Sequence, residues 1–592
     1  MASRIALLDD LTASRIAAGE VVERPASVVK ELVENAIDAA ATRVEIHLVD
    51  GGKRCIEVAD NGIGMTAEDA VLAVQRHATS KIRSSDDLFA IETLGFRGEA
   101  LPSIASVSHF TLTTKSAGCP VGTRLTIHGG VLDDITEVGS ADGTLIHVED
   151  LFYNTPARLK FLKTTGTELA RCVETVSALA PAFPSVAFRV LHGKQEVLAT
   201  PGTGEMVSAL ASTWGRDTAR RLVPIRKDEP GLSIEGYVGV PDVARAGRTH
   251  QLFIVNGRPV RNRSLTHALE HAFRGITPES RYPVACIAIR MDPSMVDVNV
   301  HPAKLEVKFT QEHLLHAAVV EAVSVALRNH GLTPAIGVPR TYEPPAFRPP
   351  QSERPSAPSA AGVSRAIAAF APPSIADEAW PSGAEAQAAT ADSDELSLAE
   401  QLRGYRVLGQ IANTYIVAET VYGAVFVDQH VAHERILYER LTDARHERGI
   451  PVQPLVVPLS ITLGAAEAAL LADRSADFLA VGWDIAPFGR DTFVVRAAPA
   501  LIRPGNHEAI LRDMIDELAH QSVARRLVVD RDQVTIANAC RLAVKAGDRL
   551  AIEEMEELIR QLAETRNPHF CPHGRPAVVA VTRAELERRF KR

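Results

Sequence analysis

The stretch Asp428–Glu439, DQHVAHERILYE, gathers a carboxylate, an imidazole and a second carboxylate at a spacing that could serve one ion. It follows an apolar run, Ala424–Val427, that reads as a buried strand, and it opens a run that reads as a helix. His430 and Glu434 are four residues apart, so a helix puts them on one face. Two potential ligands one turn apart, with Asp428 at the strand end beside them, suit metal-assisted hydrolysis. Partners are available in Ala539-Cys540-Arg541 and in CPHGRP, which runs from Cys571 through His573 to Pro576. With Cys540, Cys571 and His573 the donors become a mixed N/O/S set, suited to a borderline-soft ion such as zinc. Any one of these residues alone also fits ordinary core. Glu439 lies five residues beyond Glu434 and should not share the His430–Glu434 face.

A different chemistry is written in the N-terminal third. Pro25 sits where a first helical residue is tolerated, and a helix is expected over Pro25–Ala40. Val28, Leu32 and Ala36, with Val29, Val33 and Ile37, form its core stripe, while Glu31, Asn35 and Asp38 lie together on another face. A carboxylate and an amide stacked this way can position a water and a magnesium ion; alone they also read as a solvated face. Strand Val44–Val49 and strand Ile56–Ala59 follow, and then Asp60-Asn61-Gly62-Ile63-Gly64. A carboxylate at a strand end can accept from an exocyclic amine, and glycines let backbone approach a flat ring or a phosphate. Taken alone, DNGIG reads equally well as a hairpin turn. RHATSKI (Arg76–Ile82) and GFRGEAL (Gly95–Leu101) add Thr79, Lys81 and Arg97 together with Gly95 and Gly98, the chemistry of a phosphate cradle in a mobile loop. No GxxxxGK[ST] string occurs here, which excludes a P-loop enzyme.

These residues need several domains to hold them. The chain has 592 residues, 46% hydrophobic and 23% charged, ordinary for globular protein with three or four domains. Residues 1–205 mix helix and strand patterns. Residues 206–332 carry a hairpin signal, Gln251–Val255 then Asn256-Gly257 then Arg258, a strand over Pro283–Met291, and an amphipathic helix over Gln311–His330 stopped by Gly331. Residues 333–396 are rich in Pro, Ala and Ser without periodicity and are expected to be a disordered linker, spanning about 40–50 Å if flexible. Residues 397–592 make a C-terminal module. Six cysteines in a chain of this length form no disulfide framework. No apolar run approaches a membrane span, and the acidic start MASRIALLDDL does not suit a signal peptide, so a cytoplasmic protein without membrane contact is expected. The net charge of −9 argues against tight, unassisted nucleic-acid binding by the whole molecule. It leaves room for a local basic groove, for which Arg245, Arg248, Arg258, Arg261, Arg263 and Arg274 are candidates. Such binding would be non-specific and weakened by salt.

ENAIDA, DNGIG, HATSKI, GFRGEAL and LFYNTPARLKFL, in that order, resemble the N-terminal ATPase of the MutL family of DNA mismatch repair proteins, within the gyrase, histidine kinase and MutL (GHKL) superfamily. DQHVAHE, ACR, CPHGRP and the terminal Phe590-Lys591-Arg592 resemble the endonuclease-bearing branch of that family, with Val431 standing where the family motif has Ala. The resemblance implies an α+β multidomain architecture: a GHKL-type α/β-sandwich ATPase over 1–205, a ribosomal-protein-S5-like transducer over 206–332, the linker, and an α+β dimerisation and endonuclease domain over 397–592.

It also implies roles. Glu31 would be the general base, Asn35 would hold Mg2+, and Asp60 would read the adenine amine of ATP with Gly62, Gly64 and Thr144 around the base. Residues 76–101, with Thr79, Lys81, Gly95, Arg97 and Gly98, would form the ATP lid. Lys304, in DVNVHPAK, would reach the γ-phosphate. His430, Glu434, Cys540, Cys571 and His573 would hold Zn2+ or Mn2+, and Asp428 would be most directly tied to nicking. Arg258, Arg261 and Arg263 would contact DNA. QPLVVP, with Gln453, Leu455, Val457 and Pro458, resembles the family's peptide for docking on the replication sliding clamp; alone it reads as an edge strand. The implied function is an ATP-switched homodimer recruited by MutS, with its own strand-nicking activity. The alternatives are a nuclease-inactive matchmaker that recruits a separate endonuclease, or a chaperone or topoisomerase subunit of the same superfamily, for which no cleaving-Tyr extension is found.

Overall fold

The computed structural model describes residues 22–81, 93–95, 98–277, 281–297, 307–332, 404–447, 450–500, 502, 506–520, 539, 543, 548–571 and 575–590. Lys304, Arg97, Cys540, His573 and the expected linker over 333–396 lie outside the described residues.

Contacts divide the chain into two units. Residues 1–333, 433–545 and 570–575 form the first, and residues 334–432, 546–569 and 576–592 form the second.

In the first unit, eight strands make one mixed sheet: β1 (Arg43–Val49), β2 (Cys55–Asp60), β3 (His109–Lys115), β4 (Gly122–His128), β5 (Val131–Val138), β6 (Gly143–Glu149), β7 (Ala187–His192) and β8 (Gln195–Ala199), in the order β5-β4-β3-β6-β2-β1-β7-β8. Only β1 and β7 pair in parallel. Helix α1 (Pro25–Asp38) has Pro25 in its first turn, as expected, and buries Val28, Val29, Leu32, Val33 and Ala36. It packs with α2 (Thr165–Leu179) over a core that includes Ile46, Ile56, Phe110, Phe152 and Phe188. The apolar stripe of α1 thereby turns Glu31, Asn35 and Asp38 away from the core toward the strand ends.

The second sheet is β12-β11-β13-β10-β9, from β9 (Leu222–Glu229), β10 (Leu232–Gly239), β11 (Gln251–Val255), β12 (Arg258–Val260) and β13 (Ala285–Met291). Asn256 and Gly257 both take positive φ (48° and 82°), the backbone that a type I′ hairpin requires. Helices α3 (Arg263–Ala272) and α4 (Glu312–Asn329) close a second core, and Gly331 at φ 66° follows the end of α4.

Also in the first unit is a three-stranded sheet, in the order edge strand (Val452–Thr462), Thr492–Pro499, Asp484–Pro487. Its core holds Phe478 and Trp483, both fully buried. The second unit contains a four-stranded antiparallel sheet, Arg406–Ile411, Tyr415–Thr420, Gly423–Asp428 and Val578–Thr582. Ile416, Ala418, Val425 and Val427 alternate into its interior, as the apolar run 424–427 led one to expect. No described helix is long and apolar enough to cross a membrane.

Candidate functional site

The nucleotide-type residues come together at one end of the large sheet. Asp60 is the last residue of β2 and pairs across the ladder with Thr144 of β6, which in turn pairs with Thr114 of β3. The three side chains therefore form a row across adjacent strands. Asp60 Oδ1 accepts the Gly62 N–H at 2.8 Å, and the Thr144 and Thr114 hydroxyls are 3.0 Å apart. Thr114 Oγ1 also donates to the Gly143 carbonyl and accepts the Met65 N–H. Burial raises the Asp60 carboxyl above its ordinary pKa, with the backbone N–H groups of Gly62 and Thr144 acting in the opposite direction. Thr114 was invisible to motif reading, because only strand register places it here.

Gly64 shows why this loop is glycine-rich. It sits at φ +63°, and a Cβ there would overlap the Lys115 carbonyl oxygen. Gly64→Ala should therefore destabilise the first unit by about 1–3 kcal/mol and displace the loop beside Asp60. Thermal unfolding measures the first effect and nucleotide affinity the second; an unchanged melting profile contradicts the packing described.

On α1, the three polar residues have distinct surroundings. Glu31 Oε1 lies 3.3 Å from Lys30 Nζ, and Lys30 also pairs with Glu34 at 2.8 Å. Asn35 Oδ1 accepts from Lys81 Nζ at 3.0 Å. Asp38 holds Lys81 Nζ at 2.6 Å through Oδ2 and accepts the N–H groups of Leu94 and Gly95 at 2.9 and 3.0 Å. Asp38 is thus the clamp that ties Lys81 and the GFRGEAL segment to the helix. Thr79 Oγ1 accepts the Lys81 N–H, and the Gly98 carbonyl accepts the His77 N–H, so the two glycine- and hydroxyl-bearing strings meet.

The arginines expected to face DNA do not share one surface. Arg258 is buried and its guanidinium donates to the Thr93 carbonyl, near Glu34 and Asp38. Its guanidinium thus lies against Thr93 and α1 rather than on an exposed face. Arg245 is buried too, and Arg248 is held by Glu270 and stacked on Tyr282 at 4.3 Å. Arg261 and Arg263 are exposed, Arg261 lying 3.6 Å from Glu174.

Among the described residues, His250, Glu467 and Asp516 bring ligand-type atoms within 4.8 Å of one another, all buried. Motif reading missed this trio. Desolvation would raise the Glu467 carboxyl, but Arg245, His250 and the Gly464 N–H hold it down to about 2. Burial and the Glu467 charge push Asp516 up to about 7. An ionised Glu467 beside buried Arg245, with Asp516 readily protonated, already balances charge, so the trio reads as an ion-pair network.

At the C-terminal motif, Asp428 ends the strand Gly423–Asp428 and caps helix α5 (Gln429–Glu447). Its Oδ1 accepts the N–H groups of His430 and Val431 at 3.0 and 3.1 Å. The Asp428 N–H donates to the Ala577 carbonyl at 3.0 Å, which draws the chain just after CPHGRP to the strand end. His430 and Glu434 follow one turn apart on α5, and Val431 is buried. Farther along, Glu434 has a side chain only 1% exposed, with Arg575 Nη2 3.5 Å from its Oε1. The Cys571 N–H donates to the Arg575 carbonyl, and Arg435 Nε donates to the Phe570 carbonyl at 2.6 Å, fixing the start of CPHGRP on the same helix. Glu439 pairs with Arg435 at 3.6 Å. Glu434 and Cys571 are both buried.

QPLVVP lies on the edge strand Val452–Thr462. Pairing with the neighbouring strand is interrupted between Pro454 and Leu459, and Val456 and Val457 are almost fully exposed. Gln453 and Pro458 are exposed and Leu455 is half-buried.

Three family models match the chain: a histidine kinase-, DNA gyrase B- and HSP90-like ATPase over residues 23–131, a DNA mismatch repair protein C-terminal domain over 210–328, and a MutL C-terminal dimerisation domain over 408–550. Relatives named DNA mismatch repair protein MutL include those of Symbiobacterium thermophilum, 43% identical, and Methanoculleus marisnigri, 42% identical, each match covering 100% of both chains. That of Geobacillus thermodenitrificans is 40% identical over 100% of this chain and 99% of its own. Among solved structures, the Aquifex aeolicus MutL ATPase domain complexed with ADP matches 50% of this chain and 98% of its own at 26% identity, with a TM-score of 0.38. With a GHKL-type ATPase at one end, a dimerisation domain at the other and full-length similarity between, the chain belongs to the MutL family of DNA mismatch repair proteins.

Proposed function

We propose that this mismatch repair protein is an ATP-switched homodimer that nicks DNA with a metal site of its own. Glu31 acts as general base on the water that attacks the γ-phosphate, and Asn35 holds Mg2+. Asp60 reads the adenine amine beside Gly62, Gly64 and Thr144. Thr79, Lys81, Gly95, Arg97 and Gly98 belong to the lid, and Lys304 senses the γ-phosphate. ATP draws the N-terminal modules together, and hydrolysis releases them. MutS recruits the protein to a mismatch, Arg261 and Arg263 contact DNA without sequence preference, and the sliding clamp docks on Gln453, Leu455, Val457 and Pro458. In the C-terminal part, His430, Glu434, Cys540, Cys571 and His573 would hold Zn2+ or Mn2+, which would supply an activated water for phosphodiester hydrolysis, and Asp428 would orient the reacting groups.

The observation that carries the nicking reading is Asp428. Its carboxylate stands at the junction of a strand and a helix whose first turn bears His430, with the chain leaving CPHGRP hydrogen-bonded to its own N–H. The looped-out, exposed Val456 and Val457 support the clamp reading over a plain edge strand. The test is nicking of covalently closed plasmid by the full chain with manganese, with and without loaded clamp. Nicked product is expected; none under either condition supports the matchmaker reading instead.

Asp60 gives this proposal a pH signature. The adenine amine needs an ionised acceptor, and the Asp60 pKa is raised by burial. Protonation on acidification should therefore begin above the ordinary carboxylate range, near 4, and nucleotide affinity should fall with it. A fluorescent-nucleotide titration across pH checks this. An affinity that holds constant until the ordinary carboxylate range removes Asp60 from the base pocket.

A further inference from the structure

We propose that His267, His271 and His316 form a surface site for a divalent transition metal, clipping α3 to α4 in the second sheet's domain. The site goes beyond the function above and shares no residue with either proposed reaction centre. His267 and His271 are four apart on α3 and share a face, while His316 comes from α4, which packs beside it. His267 Nδ1 and His316 Nε2 are 3.2 Å apart. The pair is hydrogen-bonded, and nitrogens bound at about 2.0–2.1 Å to one tetrahedral ion lie about 3.3–3.4 Å apart, so an ion could replace the shared proton with little change of separation. The His271 ring centroid is 6.2 Å from that of His267 and 5.9 Å from that of His316, and the remaining pair is 5.5 Å apart. Three imidazoles around one tetrahedral ion have centroids about 5 Å apart; the three histidines do not yet bring one nitrogen each within 4.8 Å of one another, so closing the site takes reorientation of the exposed His271 side chain.

Desolvation and the neighbouring His267 and His271 lower the His316 pKa. Three imidazoles with no carboxylate select ions that accept nitrogen ligands, copper, nickel and zinc ahead of magnesium or calcium. An open groove of about 560 Å3, lined by Ser264, Phe309, Thr310, Glu312 and His313, runs past His316 and gives solvent access to a fourth coordination position.

The test uses the full chain stripped with chelator and then dialysed against zinc, with bound metal counted per chain. Wild type should hold about one equivalent more than His267→Ala, His271→Ala or His316→Ala, whereas Cys571→Ser should lose a different equivalent. Equal metal content in wild type and all three histidine variants overturns the proposal, whatever Cys571→Ser does. The copper(II) paramagnetic resonance spectrum of unmodified protein supplies a second readout that needs no variant. Coupling to three imidazole nitrogens is expected, and a spectrum with no bound copper beyond the Cys571 site contradicts it.

Discussion

Replacing Glu31 with glutamine should slow ATP hydrolysis by about 10²–10⁴-fold, the usual weight of a positioned general base, while nucleotide affinity stays nearly unchanged. The amide keeps the length of the side chain but cannot take the proton from the attacking water. Glu31 faces away from the core of α1 and lies 3.3 Å from the adjacent Lys30, so the fold does not lean on it. Asp38 is the contrasting case, since it accepts the Leu94 and Gly95 N–H groups and the Lys81 ammonium. Phosphate release and fluorescent-nucleotide binding, measured on the same preparation, separate the two kinds of residue. If Glu31→Gln loses affinity in step with turnover, the residue holds the pocket together and is not the base.

The second large effect is expected at Asp428. Asp428→Asn should lower nicking by about 10²–10³-fold, corresponding to several kcal/mol of transition-state stabilisation at a metal site. Asparagine is itself a good helix cap, so its side-chain oxygen can still accept the His430 and Val431 N–H groups and the start of α5 should persist. What the substitution removes is the negative charge. ATP turnover should be unaffected, because Glu31 and Asp60 stand on α1 and β2, elements of the other unit. A plasmid assay alongside phosphate release reads both, and comparable nicking by the variant would move the chemistry to another carboxylate.

Much of the local structure was legible before the fold. The spacing of Val28, Leu32 and Ala36 marked the buried face of α1 and, by exclusion, the polar face with Glu31, Asn35 and Asp38. Asn256-Gly257 announced its hairpin because few residue pairs tolerate two positive φ angles. What stayed hidden depends on pairing between distant segments. Thr114 joins Asp60 and Thr144 only through the register of β3 and β6, and no local pattern encodes register between strands so far apart in the chain. Arg258 illustrates the other failure. Its charge is visible in the sequence, its burial against Thr93 is not, and a run of arginines therefore read as a basic surface.

Two separable chemistries are expected of this one chain, ATP turnover near α1 and phosphodiester hydrolysis at Asp428. The decisive measurement is ATP hydrolysis and manganese-dependent plasmid nicking, side by side, in wild type and Asp428→Asn. In the variant, ATP turnover should match wild type while nicking falls to background. Equal nicking by both proteins, or none by wild type even with the clamp loaded, would contradict a nuclease centred on Asp428.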